Sequence, residues 1–478
     1  MTPGVKKYFL LSKHRESEGR DRRLLMNTWL KKDLKYNWHP YTQMKDCEFL
    51  PPILIEKARG IKLYDSNNKF YYDSISSWWC NVHGHNHPRI KKAIKKQLDS
   101  LEHVLFAGFT HKPAILLAEK LVSIAPGKLT RVFFSDNGST AVEVALKMSF
   151  QYWNNIGING KTKFVSLDMG YHGDTIGTMS VSGIDLFNKV FSPLLFHSFK
   201  VPSPYCYRCP AGKDRKACAI DCIVSLERLL KEKSGQIAAI VLEPLLMGSG
   251  GMIVYPKEYL EKVYKLTRKY NVHLIVDEVA TGFGRTGKMF ASDFCDIEPD
   301  FMCLSKGITS GYLPLGVTLT TDKVYKAFYA DYKAGKTFYH GHTYTANPIS
   351  CAAGLAGLEV FEEEKTLERV NKLIPLFHER LQEFKGLDLV GDVRYLGLIG
   401  AMELVRDRKT KKGFTIEERI GLEIYKRGLK NNLILRPLGS IIYFFLPLCI
   451  KKIEMADILG RAYEVVKSLK NGKNTFNY

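Results

Sequence analysis

The chain of 478 residues is 45% hydrophobic and 25% charged, an ordinary globular composition with room for two or more domains. No apolar run reaches the roughly eighteen residues of a membrane-spanning helix, so no membrane association is expected. A net charge of +21 is compatible with nucleic-acid binding, but the lysines are scattered and form no arginine-rich tract. This favours a lysine-rich solvated surface and no nucleic-acid partner.

The first 25 residues contain a short apolar patch, Tyr8 to Leu11, and then charges of both signs. The patch is too short for a signal-peptide core, and the acidic residues are atypical of a transit peptide. We expect residues 1–25 to form a disordered or weakly packed extension. Ten cysteines in a chain without a secretory signal indicate a reducing compartment, the cytoplasm.

Two adjacent tryptophans follow a segment, residues 64–76, whose alternating polar and apolar residues predict a short strand meander. Neighbouring residues of a strand face opposite ways, so only one of Trp78 and Trp79 would line a given pocket unless the segment is a loop. Aromatic walls suit a long aliphatic substrate. Packing in the core is the alternative.

A turn rich in small polar residues, Ser135 to Thr140, connects a predicted strand at 131–136 to a predicted helix at 138–153. Glycine allows close backbone approach, and the first N–H groups of a helix have no partner within the helix, which is typical of a phosphate cradle. The alternative is an ordinary helix start with Glu143 in a capping-box-like position.

The segment Gly170-Tyr171-His172-Gly173-Asp174 follows another predicted strand. An aromatic ring at Tyr171 can stack on a flat cofactor, or the segment can be a turn with a packed tyrosine.

Four cysteines lie close together as Cys206-x-x-Cys209 and Cys218-x-x-x-Cys222 in a polar, loop-like region. Four thiols at such spacings can hold zinc, and a loop of free thiols is the alternative. The chemistry proposed below needs no metal, and no metal ligands are assigned.

Two short apolar runs, residues 273–276 and 301–304, are typical of buried parallel strands. Asp277 follows the first and Lys306 the second, so both emerge at the sheet edge where open α/β sheets bind ligands. A carboxylate that keeps a pyridine nitrogen protonated and an amine that forms a Schiff base are the groups pyridoxal 5'-phosphate requires. The alternative is a helix-capping Asp and a surface Lys.

Alternation of strand and helix signals from about residue 131 predicts an α/β fold with a mainly parallel sheet flanked by helices. The last hundred residues read as α+β, which predicts a smaller domain. We expect a segment at 26–100 that contributes to the small domain, a large domain at 101–370 and a C-terminal small domain at 371–478. In the C-terminal small domain, Arg436 precedes Pro437 and is suited to bind a carboxylate with two hydrogen bonds. A surface ion pair is the alternative.

Taken together, these residues resemble the class III (ω-amino) aminotransferases of pyridoxal phosphate fold type I over about residues 36–450. The run from Asp277 to Gly287, DEVATGFGRTG, is highly specific to that class. The resemblance implies a large domain built on a seven-stranded sheet, a smaller α+β domain formed from both termini, and pyridoxal 5'-phosphate as the cofactor. It also implies a homodimer with shared active sites.

The resemblance also implies roles in cofactor binding. Lys306 would carry the Schiff base and shuttle a proton, and Asp277 would pair with the pyridinium nitrogen. Tyr171 would stack on the ring and border the substrate. Gly138 and Ser139 would bind the phosphate.

A second stretch, Phe338 to Thr343, is aromatic and ends in Gly341-His342-Thr343. By the same resemblance, Thr343 would bind the phosphate from the other subunit with His342 beside it, and Gly341 would border the substrate.

Three further segments resemble one branch of the family and therefore bear on substrate specificity: residues 38–42 (WHPYT), 76–79 (SSWW) and 436–439 (RPLG). They resemble the branch that aminates 8-amino-7-oxononanoate to 7,8-diaminononanoate in biotin biosynthesis. Tyr41, Trp78 and Trp79 would line the substrate channel, with Tyr41 also among the catalytic residues. Arg436 would hold the substrate carboxylate, with Tyr443 nearby.

The amino donor is less sharply specified. Members that use S-adenosylmethionine carry Gly-Pro-Thr where this chain has Gly341-His342-Thr343, and the His form resembles a branch that includes lysine-using enzymes. S-adenosylmethionine is the first expectation and lysine the second. Another ω-aminotransferase, acting on ornithine, 4-aminobutyrate or a diamine, is the alternative function, although such enzymes would not need the double tryptophan.

Overall fold

The computed structural model describes residues 28–469, and the extension predicted at residues 1–25 lies outside them. Within this range, no helix combines the length and the apolar character needed to cross a membrane. The chain divides into two compact units, one formed by residues up to 58 together with 63–70, the other by 59–62 together with 71 onward.

The first unit begins with helix α1 (Thr28–Tyr36) and a short 3-10 segment (Met44–Glu48). Most of strands β1 (Ile55–Arg59) and β2 (Lys62–Asp65) belong to it. The Asp65 carboxylate closes the turn after β2, where Oδ1 accepts hydrogen bonds from the backbone N–H groups of Asn67 and Lys69 at 2.9 Å each.

The strands that follow are β3 (Phe70–Tyr72), β4 (Leu129–Ser135), β5 (Lys163–Leu167), β6 (Phe199–Val201), β7 (Ile237–Leu242), β8 (Leu246–Met247), β9 (Ile253–Val254), β10 (His273–Asp277), β11 (Phe301–Leu304), β12 (Gly316–Thr321), β13 (Val390–Leu396), β14 (Ile399–Leu404) and β15 (Ile441–Phe445). The helices are α2 (Pro88–Leu98), α3 (Lys112–Ile124), α4 (Gly138–Asn155), α5 (Ile176–Ser180), α6 (Asp185–Asn188), α7 (Val224–Lys233), α8 (Lys257–Lys269), α9 (Asp322–Lys326), α10 (Pro348–Glu363), α11 (Thr366–Gln382), α12 (Ile420–Lys430) and α13 (Lys452–Lys467).

Seven strands form one sheet in the order β4-β12-β11-β10-β7-β5-β6. All of its neighbouring pairs are parallel except those of β12, which is antiparallel to both β11 and β4. Every residue of β7 and β10 is buried, which explains why both strands are continuous apolar runs. The predicted α/β fold with a mainly parallel sheet flanked by helices is confirmed.

Helix α4 packs on this sheet and fixes where its own first turn lies. Its buried face includes Ala141, Val144 and Ala145, all fully buried in one cluster with strand residues. Near its other end, Trp153 Nε1 donates a hydrogen bond to the carbonyl of Ala238 in β7 at 2.9 Å. Helix α4 is therefore held at both ends, with its N-terminus beside the carboxyl edge of the sheet.

Strands β13, β14 and β15 form a separate antiparallel sheet. In its register, Ala401 lies opposite Tyr443, and the side chains of both are buried. This pairing fixes Tyr443 in the middle of β15. The described strands and helices after residue 366 are of the mixed α+β kind that the sequence indicates.

The four clustered cysteines lie in the loop that follows β6, where all four line one small cavity of about 20 Å³. All ten cysteines of the chain are free thiols. Burial raises the pKa of Cys206, and that of Cys222 to about 11. Across residues 28–469, no three His, Cys, Asp or Glu side chains are arranged to hold a metal ion.

Candidate active site

Asp277 and Lys306 come together because β10 and β11 are parallel neighbours. Asp277 lies opposite Cys303 in the register, and Lys306 starts a 3-10 turn (Lys306–Thr309) directly after β11. Both side chains line one cleft of about 450 Å³ at the carboxyl edge of the sheet. The sequence-based expectation that these two residues meet at that edge is confirmed.

Lys306 occupies a strained and desolvated position. Its backbone φ is +43°, a left-handed conformation that is costly for a residue with a side chain. Burial lowers the pKa of Lys306, and the carboxylates of Asp277 and Glu243 act in the opposite direction. Its Nζ lies 4.6 Å from the centre of the Trp79 ring. A lysine with a lowered pKa is a better nucleophile at neutral pH.

The Asp277 carboxylate is oriented by two donors. His172 Nδ1 lies 2.7 Å from Oδ2, and the backbone N–H of Val279 donates to Oδ1 at 3.1 Å. The His172 side chain is 0% exposed and that of Asp277 is 4% exposed, so the pair is shielded from water. Because the carboxylate can only accept, His172 carries its proton on Nδ1. His172 N–H in turn donates to Ser182 Oγ at 3.0 Å, which fixes the backbone of the histidine.

Two glycines allow the turn before α4 to pack closely against neighbouring segments. A side chain at Gly138 would place Cβ 2.6 Å from Val279 Cγ1, and one at Gly173 would place Cβ 2.1 Å from Ser139 Oγ. Gly173 also has a φ of +135°, which favours glycine. The N–H groups of Gly138 and Ser139 belong to the first turn of α4, where helical partners are lacking.

The cap of α4 differs from the sequence-based alternative that involved Glu143. Asn137 is the N-cap: its side chain accepts from the N–H of Thr140, and Thr140 Oγ1 accepts from the N–H of Asn137. Glu143 instead accepts hydrogen bonds from Thr175 Oγ1 at 2.5 Å and from the N–H of Thr178 at 3.2 Å. The Thr140 hydroxyl completes the capping box. Glu143 instead anchors the segment after Gly173 through Thr175 and Thr178.

Tyr171 lines the same cleft, and Glu243 holds its backbone in place. Glu243 accepts hydrogen bonds from the N–H of Tyr171 at 3.1 Å and from the N–H of Gly248 at 2.8 Å. Burial raises the pKa of Glu243 to about 7. Glu243 directly follows β7, and Asp277 is the last residue of the neighbouring strand β10. Two carboxyl groups therefore lie at the ends of adjacent strands.

Trp79 lines the cleft and packs against further aromatic side chains. Trp79 is 3% exposed, stacks on Phe445 at 5.4 Å and donates from Nε1 to the Tyr443 hydroxyl at 3.3 Å. Trp78 is 39% exposed, and the Arg436 guanidinium lies 4.4 Å from the centre of its ring. Trp79 therefore lies beside Lys306 in the cleft, and Trp78, which is not among the residues that line it, lies beside Arg436.

Six residues of the second unit that were assigned from the sequence are not among those that line this cleft in the single chain: Trp78, Gly341, His342, Thr343, Arg436 and Tyr443. Gly341 and Thr343 are exposed, and His342 Nδ1 lies 3.2 Å from Asp136 Oδ2, at the rim of the cleft. Tyr41 is 49% exposed, has a φ of +50° and belongs to the first unit.

Sequence reasoning assigned no role to His172 or Glu243. Each carried a signal: His172 adjoins Tyr171 in the segment already singled out, and Glu243 follows an apolar strand just as Lys306 does. The hydrogen bond between His172 and Asp277 joins residues 105 positions apart in the chain, so no local sequence pattern predicts it.

The arrangement of groups fits pyridoxal 5'-phosphate. It provides an amine, a buried carboxylate with its own hydrogen-bond partner, a glycine-lined helix start for a phosphate and an aromatic ring in one cleft. Residues 138 and 173 must be glycine for the protein to pack in this way, since a Cβ at either would collide with Val279 or Ser139.

Comparison with known proteins identifies relatives over nearly the whole chain. The family profile described as "Aminotransferase class-III" matches residues 44–466. A relative from Geobacter sulfurreducens, described as adenosylmethionine-8-amino-7-oxononanoate aminotransferase, is 48% identical over 441 residues, which cover 92% of this chain and 97% of the relative.

Solved structures agree with this. The crystal structure of adenosylmethionine-8-amino-7-oxononanoate aminotransferase from Methanocaldococcus jannaschii superposes with a TM-score of 0.88 at 42% identity, covering 92% of this chain and 99% of that one. An amine transaminase from an uncultivated Pseudomonas species, in its PLP-bound form, gives a TM-score of 0.86 at 33% identity, with 90% and 98% of the two chains covered.

Proposed function

The chain belongs to the class-III aminotransferases, and we propose that it transfers an amino group from S-adenosylmethionine, or alternatively lysine, to 8-amino-7-oxononanoate. The product would be 7,8-diaminononanoate, an intermediate of biotin biosynthesis. As a member of the family, the protein is a pyridoxal 5'-phosphate-dependent aminotransferase. The match covers 97% of the length of the relative from Geobacter sulfurreducens, which supports the assignment over nearly the whole of that protein.

One observation carries the choice of substrate: Arg436 lies against the ring of Trp78, and the next residue, Trp79, borders Lys306. A substrate for such a pocket has its reacting carbonyl at one end, an apolar chain in the middle and a carboxylate at the other end. The keto acid 8-amino-7-oxononanoate has this layout. Arg436 would bind its carboxylate through charge-assisted hydrogen bonds, and Tyr443 would hold Trp79 in place.

Pyridoxal 5'-phosphate, when bound, supplies a carbonyl that takes up an amino group and a ring that withdraws electrons from the substrate carbon. We assign the cofactor contacts to Lys306 as covalent anchor, Asp277 at the pyridine nitrogen and Tyr171 against the ring. Gly138 and Ser139 would hold the phosphate at the N-terminus of α4.

The residues of the chain divide the proton chemistry between them. The Lys306 amine, displaced by the amino group of the donor, would move a proton from the donor carbon to the cofactor in the first half of the cycle and from the cofactor to the acceptor carbon in the second. Asp277, held by His172, would keep its charge facing the ring throughout. The donor and the keto acid would use the same cleft in turn, as ping-pong kinetics require.

We further propose that the enzyme is a homodimer in which Gly341, His342 and Thr343 of one subunit complete the cleft of the other. The exposure of Gly341 and Thr343 in the single chain supports this. Tyr41 is proposed to border the substrate and to take part in catalysis.

Two broader proposals concern compartment and domains. Ten free thiols support a cytoplasmic location. The placement of the seven-stranded sheet within residues 129–321 and of β13 to β15 within 390–445 supports a large domain at 101–370 and a C-terminal small domain at 371–478, with residues 26–100 contributing to the latter.

The decisive experiment is a donor comparison with purified, cofactor-loaded protein and 8-amino-7-oxononanoate. S-adenosylmethionine and lysine are supplied separately, and 7,8-diaminononanoate is followed by mass spectrometry. Product with either donor is the expected result. The donor that gives the faster reaction identifies the amino donor of an enzyme that has His342 between Gly341 and Thr343. Lys326→Ala, an exposed lysine paired only with Asp322 among the described ion pairs, serves as the matched control for Lys306→Ala.

A second function has one observation in its favour: ω-transaminases superpose almost as well, with a TM-score of 0.87 for the enzyme from Pseudomonas jessenii at 36% identity. Failure to form product with either donor, from protein whose cofactor is bound, would move the assignment to another ω-aminotransferase, tested with ornithine, 4-aminobutyrate and diamines.

A further inference from the structure

The segment Ser76–Trp79 is a single turn of left-handed helix. The four consecutive residues have φ values of +51°, +45°, +69° and +74°. Backbone hydrogen bonds of helical spacing close the turn, from the N–H of Trp79 to the carbonyl of Ile75 at 2.9 Å and from that of Cys80 to Ser76 at 3.0 Å. For residues that carry a Cβ this conformation is costly and is not found as a run of residues unless surrounding groups impose it.

One side of the turn is fixed by Asp73. Its carboxylate accepts from the N–H of Ser77 at 2.8 Å and from Ser77 Oγ at 2.7 Å, and His85 Nε2 lies 2.8 Å from the same carboxylate. These contacts hold the start of the turn.

The other side is fixed by Arg285, a residue of the DEVATGFGRTG run. Its Nη1 donates to Ser76 Oγ at 3.0 Å and to the carbonyl of Leu446 at 2.9 Å. Its Nη2 donates to the carbonyls of Trp79 and Asn81 at 3.0 Å each. The guanidinium thus ties the beginning and the end of the turn to the segment that follows β15.

A charged side chain is rarely found at so buried a position as that of Arg285, which is 1% exposed. Among the ion pairs of residues 28–469 it takes part in none, and its charge is met by neutral oxygen acceptors and by the Phe445 ring at 5.0 Å. Burying an unpaired cation is expensive. A cation is nevertheless suited to this position, because a planar fork of donors can serve four acceptors in fixed directions.

The turn decides where the two tryptophans lie. In an extended strand, Trp78 and Trp79 would point to opposite faces. The left-handed turn instead directs Trp79 to Lys306, with a centroid distance of 4.6 Å, and leaves Trp78 against Arg436 at 4.4 Å. Gly248 makes room for Trp79, because a Cβ there would lie 3.1 Å from the Trp79 ring.

We propose that Arg285 is a positioning residue for substrate binding: its guanidinium holds the left-handed turn 76–79, and through that turn it sets both tryptophans of the substrate pocket. The proposal rests on the function proposed above, in which these tryptophans line the channel. Arg285 itself need not touch the substrate.

The first test uses Arg285→Lys in the cofactor-loaded enzyme, with Arg380→Lys, an exposed arginine of α11 paired with Glu383, as the matched control. Lysine keeps the charge but donates from one point and cannot span both pairs of acceptors. We expect the KM for 8-amino-7-oxononanoate to rise about tenfold or more, with kcat changed less than KM, and the control to remain at the wild-type value.

The second test alters the turn and leaves Arg285 in place. Ser77 is exposed, so its substitutions change backbone preference with little loss of packing. Compared with Ser77→Ala, Ser77→Val should raise the KM about threefold or more, since β-branched residues are least tolerant of positive φ. In the Arg285→Lys background, Ser77→Gly should give a KM about threefold lower than Ser77→Ala, because both changes remove the hydroxyl that binds Asp73 and only glycine adopts this conformation without strain.

A spectroscopic readout needs no substrate. Energy transfer from Trp79 to the bound cofactor, isolated by comparison with Trp79→Phe, should fall in Arg285→Lys. In that background it should be higher with Ser77→Gly than with Ser77→Ala. A purely structural role would lower thermal stability without moving this signal or the KM.

The outcomes separate the two proposals. If Arg285→Lys keeps both the wild-type KM and the wild-type energy transfer, Arg285 does not position the pocket. The same conclusion follows if, in the Arg285→Lys background, Ser77→Gly gives no lower KM than Ser77→Ala. If Arg285→Lys does not fold, equal KM values for Ser77→Val and Ser77→Ala overturn the proposal by themselves. If the wild-type enzyme makes no 7,8-diaminononanoate, the proposed substrate is wrong, and the energy-transfer comparison alone decides the role of Arg285.

Discussion

The hydrogen bond between His172 and Asp277 offers a quantitative test of the cofactor site. We would replace His172 by Leu and, separately, by Asn. The two side chains have nearly the same shape, but only the asparagine amide can donate to Asp277 Oδ2 from about the position of Nδ1. Within residues 28–469, His172 Nε2 has no hydrogen-bond partner, so neither change removes a second hydrogen bond from the ring there.

The size of the effect follows from burial. Both side chains are almost fully buried, at 0% and 4% exposure, and the bond is short at 2.7 Å. A hydrogen bond to a charged group contributes about 1.5–3 kcal/mol, and removing the donor leaves a buried acceptor unsatisfied. At about 1.4 kcal/mol for each factor of ten, His172→Leu should weaken cofactor binding or slow the half-reactions by roughly 10- to 100-fold.

The assay measures two quantities for each variant. The dissociation constant of pyridoxal 5'-phosphate is obtained by titrating apoenzyme, and the rate of each half-reaction by the change in cofactor absorbance. His172→Asn should stay within about threefold of the wild type in both, because it restores the donated hydrogen bond. Equal behaviour of the Leu and Asn variants would refute the reasoning, whether both are impaired or both are active, because the effect would then not depend on the donor.

Four further predictions concern single groups. Lys306→Ala should bind the cofactor but show no sustained transamination, and turnover by this variant would contradict the assignment of the anchoring amine. Arg436→Ala should raise the KM for the keto acid about 10- to 100-fold with kcat little changed, as expected from loss of a charge-assisted pair, and steady-state kinetics check it. Gly173→Ala should weaken cofactor binding about tenfold or more, since its Cβ would fall 2.1 Å from Ser139 Oγ at a φ of +135°, and equilibrium titration measures it. Burial lowers the pKa of His273 to about 4, so the stability that depends on its neutral form is present above pH 6.5 and is lost as the pH falls towards 4. Denaturant unfolding should show that the free energy of unfolding falls by up to about 3 kcal/mol over this pH range, and that His273→Gln lacks this loss.

The parts of the site that lie at strand ends could be predicted from the sequence. Asp277 and Lys306 follow apolar runs whose length and composition specify buried strands, and parallel strands bring their carboxyl ends to one edge. The turn at Gly138 could be predicted for the same reason, since it lies between a strand and a helix. These features depend on residues near one another in the chain, and local periodicity reports them directly.

The positions of the two adjacent tryptophans could not be predicted in the same way. The alternation rule for strands indicated that Trp78 and Trp79 face opposite ways, and a loop was only the exception allowed. The turn adopts its conformation because Arg285, more than 200 residues away, supplies donors to Ser76 Oγ and to the Trp79 carbonyl. Glu143 illustrates the same limit, since its partners at Thr175 and Thr178 become neighbours only after α4 packs on the sheet.

The specificity of the DEVATGFGRTG run has a physical explanation in these contacts. Three of its charged residues are buried, and each fixes a different segment. Asp277 faces the cleft, and Glu278 accepts hydrogen bonds from the N–H groups of Ala291 and Ser292. Arg285 holds the turn that carries both tryptophans.

A buried charge without its partners is strongly destabilising, so substitution at any of the three acidic or basic positions would disturb a segment far away in the chain. The run therefore connects the proposed cofactor carboxylate to the proposed substrate wall through one continuous stretch of backbone. A change that alters how Arg285 holds the turn should consequently affect substrate binding more than cofactor binding, and a change at Asp277 should do the reverse. Measuring the cofactor dissociation constant and the keto-acid KM in both sets of variants would show whether the two ends of the run act separately, as their distinct hydrogen-bond partners require.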